Sequence, residues 1–131
     1  MSDVTKPRPK FLALNEIRLP LAGFISILHR VSGAGLFLML PFLIYLLSLT
    51  LDPSPSAAAR LAALGAHPLV KLLLFGLSWA YLHHFCAGIR FLLIDIHIGV
   101  EKDAARKSAT GVLIVSLLLT AVMAAKIFGG I

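Results

Sequence analysis

Two short segments concentrate side chains that can do chemistry. The first is Ser26-Ile-Leu-His29-Arg30-Val-Ser32-Gly33. On a helix, Ser26, Arg30 and Gly33 fall at i, i+4 and i+7 and share one face, with His29 about 100° to one side of Arg30. A rigid guanidinium fork beside a hydroxyl suits an acidic or carbonyl-bearing ligand. The alternative is that Arg30 reaches to lipid headgroups along its own stem and His29 sits at the membrane interface. The second segment runs from Tyr81 to Asp95. There His84, Gly88, Phe91 and Asp95 form one helical stripe, and His83, Ala87, Arg90, Ile94 and His97 the adjacent one. An imidazole one turn from a glycine leaves room for a flat group, which points to a haem with His84 as an axial ligand. The alternative is an imidazole hydrogen-bonded to a neighbouring helix.

The remaining candidates narrow the chemistry. Arg90 and Asp95 are five apart, poor spacing for a helical ion pair. Separate anchoring at the membrane boundary, or an anionic group facing Arg90, fits them better. Cys86 is the only cysteine, which excludes an internal disulfide framework, a CxxCH haem attachment and a Cys-built zinc or iron–sulfur site. No nucleotide fingerprint or catalytic constellation is present, so no residue is assigned a catalytic role.

These groups must be held by apolar elements. Of 131 residues, 59% are hydrophobic and 14% charged, against about 25% charged in soluble domains. That excludes a soluble globular domain and a disordered chain alike, and the length fits one domain. Three runs lack Asp, Glu, Lys and Arg altogether: Val31–Leu51 (21 residues), Leu72–Ile89 (18) and Ser108–Ala125 (18). A membrane-crossing helix needs about 20 such residues. We expect an all-α membrane protein with an arm over 1–21 and helices over about 22–51, 67–97 and 107–129. The DPSPS stretch at 52–56 prevents regular helix, and Ala57–Leu64 is expected to form a short interfacial helix.

The net charge of +6 is concentrated in Lys6, Arg8, Lys10 and Arg18, and in Lys102, Arg106 and Lys107. The first link carries only Arg60, with Lys71 at its border, and the C-terminal end only Lys126. By the positive-inside rule the N-terminus and second link face the cytoplasm or mitochondrial matrix. The first segment is too long for a signal-peptide core, and an arm with Asp3, Glu16 and three prolines is unlike a transit peptide. The second point favours the inner membrane of a bacterial cell over that of a mitochondrion, or else an already processed mature chain.

Depth joins the two clusters. His84 lies 13 residues from the expected inner end of its helix, ~20 Å at the helical rise. Arg30 lies 8 residues into its own, ~12 Å. A haem on His84 would therefore point its propionates at His29 and Arg30. His67 and His97 are at the wrong depths, and His83 is the fallback ligand. A six-coordinate b-type haem would take its second axial ligand from another subunit. Gly33, Ala34 and Gly35, and on the third helix Gly111, Ser116 and Thr120, permit close helix packing, within this chain or against a partner.

The same residues resemble a known family. SILHRVSG is similar to the serine-x-x-histidine-arginine-x-serine/threonine-glycine signature of succinate dehydrogenase cytochrome b subunits. RPKFLALNEIRLP resembles that family's arm, with Arg8, Pro9, Ile17, Arg18 and Pro20 in register. HFCAGIRFLLID resembles its histidine-x-x-x-glycine-x-arginine motif with a following aspartate. The resemblance covers nearly the whole chain. It implies the larger of two small membrane-anchor subunits of succinate:quinone oxidoreductase, respiratory complex II, alongside a flavoprotein and an iron–sulfur subunit.

On the matching positions it implies His84 as axial ligand to the iron of haem b, with the other axial histidine supplied by the second anchor subunit. It implies His29 and Arg30 as haem-propionate neighbours, and Ser26 and Arg30 as quinone-site residues. Some members carry histidine where this chain has Phe91, which removes a polar group near the haem edge or quinone pocket. A fumarate reductase anchor is a close variant, and a cofactor-free membrane scaffold for a soluble enzyme is an alternative of another class. A small transporter is disfavoured by the absence of inverted repeats.

Overall fold

The computed structural model describes residues 18–129. Lys6, Arg8, Lys10 and most of the arm motif lie outside the described residues. The described chain is all-helical: α1 (Leu21–Leu38), α2 (Leu40–Leu51), α3 (Pro55–Ala66), α4 (Pro68–Asp95) and α5 (Lys102–Ile127). Among these, α1, α4 and α5 are long and apolar enough to cross a membrane, and α2 is a shorter apolar helix.

The single helix expected over 22–51 is divided at Met39, which sits at φ −90° and ψ 0°. Pro41 is the cause. It lacks an N–H, and its ring crowds the carbonyl four residues back, at Phe37. The break is local: Met39 N–H still reaches the Gly35 carbonyl at 3.0 Å, and Leu43 N–H the Met39 carbonyl at 3.0 Å. The other spans follow the expected ones, although α5 begins five residues early, at Lys102.

The short helix expected at 57–64 is α3. Pro55 occupies its first turn, where a missing N–H costs nothing. Ser54 Oγ accepts the Ala57 N–H at 3.2 Å as an N-cap. Asp52 accepts the Ser54 N–H at 2.8 Å, and this bond holds its carboxyl below the usual range. The resulting support is present above the unfolded carboxyl's pKa and is lost as pH falls through the lower folded value.

Helix α4 ends in a tight cap. Ile98 N–H bonds the Leu93 carbonyl at 2.9 Å, and His97 takes the left-handed φ of 63°, a position that usually goes to glycine. His97→Gly is therefore expected to stabilise the protein by up to about 1 kcal/mol, read as a raised Tm of the intact assembly in detergent.

Helix α4 packs against both α1 and α5, while α1 and α5 meet more sparingly. The core is small: Ile25 from α1, Ala87 from α4, and Ala109 and Val112 from α5. Small side chains let the three backbones approach closely. On α5, Ser116 and Thr120 are buried but satisfied within their own helix, donating to the carbonyls of Leu113 at 3.2 Å and Ser116 at 2.6 Å. Large apolar side chains such as Phe37, Leu38 and Leu118 face outward. This inverts the water-soluble pattern and suits lipid or a partner's helices.

Candidate functional site

The two polar segments meet where α1 crosses α4. The imidazoles of His29 and His84 stack with centroids 4.1 Å apart and planes 14° from parallel. Phe91, one stripe-mate of His84, lies 5.1 Å from the His29 ring. Beneath the stack, His84 Nδ1 lies 3.0 Å from the His29 carbonyl. The Ser32 hydroxyl donates to that same carbonyl at 2.9 Å and stands 3.3 Å from His84 Nδ1.

The 3.0 Å contact with the carbonyl assigns the tautomer. A carbonyl only accepts, so Nδ1 is the protonated nitrogen of a neutral His84. Nε2 then carries the lone pair, and among the described residues it has no hydrogen-bond partner. A ring nitrogen freed in this way, with the other N–H held by a backbone carbonyl, is the usual arrangement of a metal-binding histidine.

A glycine at position 33 makes the stack possible. A Cβ on Gly33 would lie 2.7 Å from His84 Cε1 and 3.1 Å from Nδ1. The imidazole thus occupies space that any other residue at 33 would fill. A Cβ on Gly88 would stand 3.7 Å from His29 Nε2, an ordinary contact. The His29 ring lies opposite Gly88 at ordinary van der Waals distance. Gly33, read from the sequence as a packing glycine, proves to be the tighter of the two. Ser32 has a contact that its spacing did not reveal, because its partner comes from 52 residues away.

The other predicted residues divide by face. His83 is fully enclosed, stacked on Trp79 at 5.4 Å, with neither ring nitrogen bonded. It points into the bundle while His84 lies half-buried at the α1 interface, so the two histidines are not equivalent. Ser26 is half-buried and Arg30 exposed. Along α1 they lie about 60° and 100° round from His29, and no hydrogen bond joins them to the stack among the described residues.

Arg90 makes its hydrogen bonds to α5, donating from Nε to Ser108 Oγ at 3.0 Å and from Nη2 to the Ala105 carbonyl at 3.3 Å, while its guanidinium carbon lies 5.3 Å from the centroid of the Phe91 ring. Asp95 is exposed at the end of α4. The depth difference counted from the sequence between Arg30 and His84 is larger than the structure allows. The His84 ring sits level with the turn from His29 to Gly33, and α4 ends at Asp95 rather than His97.

Comparison with known proteins gives this site a context. The family model for the succinate dehydrogenase/fumarate reductase transmembrane subunit matches residues 4–123. The chain belongs to this family. Among its relatives is the succinate dehydrogenase cytochrome b556 subunit of Paracoccus denitrificans, 33% identical over 124 residues, covering 91% of this chain and 92% of the relative. The protein of the same name from Coxiella burnetii is 33% identical over 111 residues, 85% and 89% of the two chains. That of Rickettsia typhi is 30% identical over 119 residues, 90% and 91%. The transmembrane subunit described here is thus a multi-pass membrane protein whose relatives are bacterial subunits of succinate dehydrogenase. The match spans both polar segments, α1 and α4 in full, and α5 as far as residue 123.

Proposed function

We propose that this transmembrane subunit binds haem b through His84 and helps form a quinone site with Ser26 and Arg30. In that role it passes electrons from an iron–sulfur subunit to quinone within succinate:quinone oxidoreductase. It has no succinate-oxidising residue of its own. A second anchor subunit supplies the other axial histidine, and a flavoprotein subunit oxidises succinate. The assembly sits in the bacterial inner membrane with the charged second link on the cytoplasmic side, where Lys102, Arg106 and Lys107 lie.

The observation that carries the haem reading is the 3.0 Å contact between His84 Nδ1 and the His29 carbonyl, which assigns the ring proton to Nδ1 because a carbonyl only accepts. Nε2 is then left with a free lone pair on a half-buried face of the bundle. Ser32 shares the carbonyl and steadies the ring, and Gly33 gives it space. His29 and Arg30 stand on the same turn as donors for acidic groups. Haem b, when bound, supplies a one-electron couple inside the membrane.

For quinone, Ser26 donates a hydrogen bond to a carbonyl oxygen, and the Arg30 guanidinium stabilises the negative charge that grows there on reduction. Arg30 is exposed along the helix flank, open to a site completed by another subunit. Quinone reduction takes up two electrons and two protons, and both side chains hold the oxygen that receives a proton.

The test is a reduced-minus-oxidised absorption spectrum of the chain purified from its native membrane with its bound partners. A b-type α band together with co-purifying flavoprotein and iron–sulfur subunits supports the reading; an intact assembly with no such band overturns the haem assignment. The quinone assignment has its own test. Arg30→Leu and Ser26→Ala are expected to lower succinate:quinone reductase activity by roughly a hundredfold and tenfold. Succinate oxidation by a water-soluble dye that bypasses quinone should be unchanged. Equal loss in both assays would place these residues in assembly instead.

A further inference from the structure

At the charged ends of α4 and α5 a half-open groove of about 450 Å³ is lined by Arg90, Lys107 and Ser108 on its polar side and by Cys86, Ile89 and Leu93 on its apolar side. Arg90 is its unusual member. Its side chain is 6% exposed, and a guanidinium stays charged at any working pH. Two of its five N–H donors reach neutral acceptors, the Ser108 hydroxyl and the Ala105 carbonyl.

Among the described residues no carboxylate pairs with it, and no Asp or Glu lines the groove. A buried cation without an anion is costly, so the site is built for a negative group. Lys107, exposed on α5, places a second positive charge on the same groove.

The apolar side identifies the rest of the ligand. Arg90 lies five residues before the end of α4 at Asp95, about 8 Å below the helix end. That is the depth at which headgroups give way to acyl chains. Cys86 and Ile89 continue down α4 toward the bilayer centre, so anion and hydrocarbon stack in the order a phospholipid presents them. Basic pockets between membrane helices on the cytoplasmic side are suited to anionic lipid headgroups.

We propose that the α4–α5 groove binds one anionic phospholipid, its phosphate on Arg90 and Lys107 and an acyl chain along Cys86 and Ile89. This site is separate from the His29–His84 stack and does not depend on the haem or quinone assignment.

The intact complex, stripped of endogenous lipid and held in neutral detergent, is titrated with phosphatidylglycerol, and bound lipid is counted by native mass spectrometry. The wild type is expected to hold one phosphatidylglycerol more tightly than Lys107→Gln, by about fivefold for the one charge removed. Arg90→Gln is expected to lose it. Lys126→Gln, at the opposite end of α5, is expected to match the wild type. Because Lys107 is exposed, its variant keeps the test open even where Arg90→Gln fails to assemble.

Phosphatidylcholine should not fill the site, and millimolar inorganic phosphate should not displace the lipid. Equal retention by Lys107→Gln and wild type overturns the proposal. So does displacement by inorganic phosphate, which makes the groove a free-anion site. Release of a partner subunit by Lys107→Gln with the lipid count unchanged also overturns it, and assigns the groove to a protein carboxylate.

Discussion

His84→Ala is expected to remove the b-type α band from the purified complex almost completely while leaving the subunits assembled. The two halves of this expectation have separate causes. The band goes because the free Nε2 lone pair goes with the imidazole. Assembly survives because the His29 carbonyl, which loses the His84 N–H, keeps the Ser32 hydroxyl at 2.9 Å and so is not left as an unpaired buried acceptor.

His83 supplies the comparison. It is fully enclosed and unbonded, so His83→Leu keeps the apolar volume, removes two unsatisfied polar atoms and should leave the band in place. The measurement is the reduced-minus-oxidised spectrum per mole of complex, with subunit content read on the same sample. A band that persists in His84→Ala, or that disappears in His83→Leu and not in His84→Ala, would reject His84 as the ligand. A cofactor-free scaffold predicts no spectral difference among wild type and both variants.

The second large effect is expected at Gly33. A methyl there would stand 2.7 Å from His84 Cε1, closer than carbon atoms pack, and the obstruction is an aromatic ring held at its far side by the His29 stack. Gly33→Ala must push the His84 ring off its carbonyl bond or spread α1 from α4. We expect haem content to fall several-fold and stability to drop by about 1–3 kcal/mol, the usual cost of overpacking.

Gly35 lies two residues on in the same helix, and a Cβ there meets nothing within 4 Å. Gly35→Ala should therefore stabilise α1 by up to about 1 kcal/mol through helix propensity alone. The two variants differ by one methyl in one helix and are expected to move Tm in opposite directions. If both behave alike, the packing of His84 on Gly33 is not a feature of the assembled protein.

The sequence by itself determined the membrane class, the three long helices and the family resemblance. Charge-free runs of 18 to 21 residues have few folded alternatives, since a helix is the simplest way to satisfy every backbone group in lipid. It also determined which residue types were anomalous, because ionisable side chains stand out in such runs. The break at Met39 was legible in principle at Pro41, whose missing N–H acts within one turn.

What only the tertiary structure decided was direction. His83 and His84 are neighbours with equal chemistry on paper, and the packing of α4 between two helices sends one into the bundle and the other against α1. Arg90, which the sequence left between a membrane anchor and an anion partner, turns to α5 because Ser108 and the Ala105 carbonyl are there to receive it. Ser32 and Gly33 acquire their roles only once His84, more than 50 residues away, arrives beside them. Helical periodicity fixes which side chains share a face, a local property of the chain. Which neighbour that face meets depends on how the helices pack, and that is settled by contacts between distant segments.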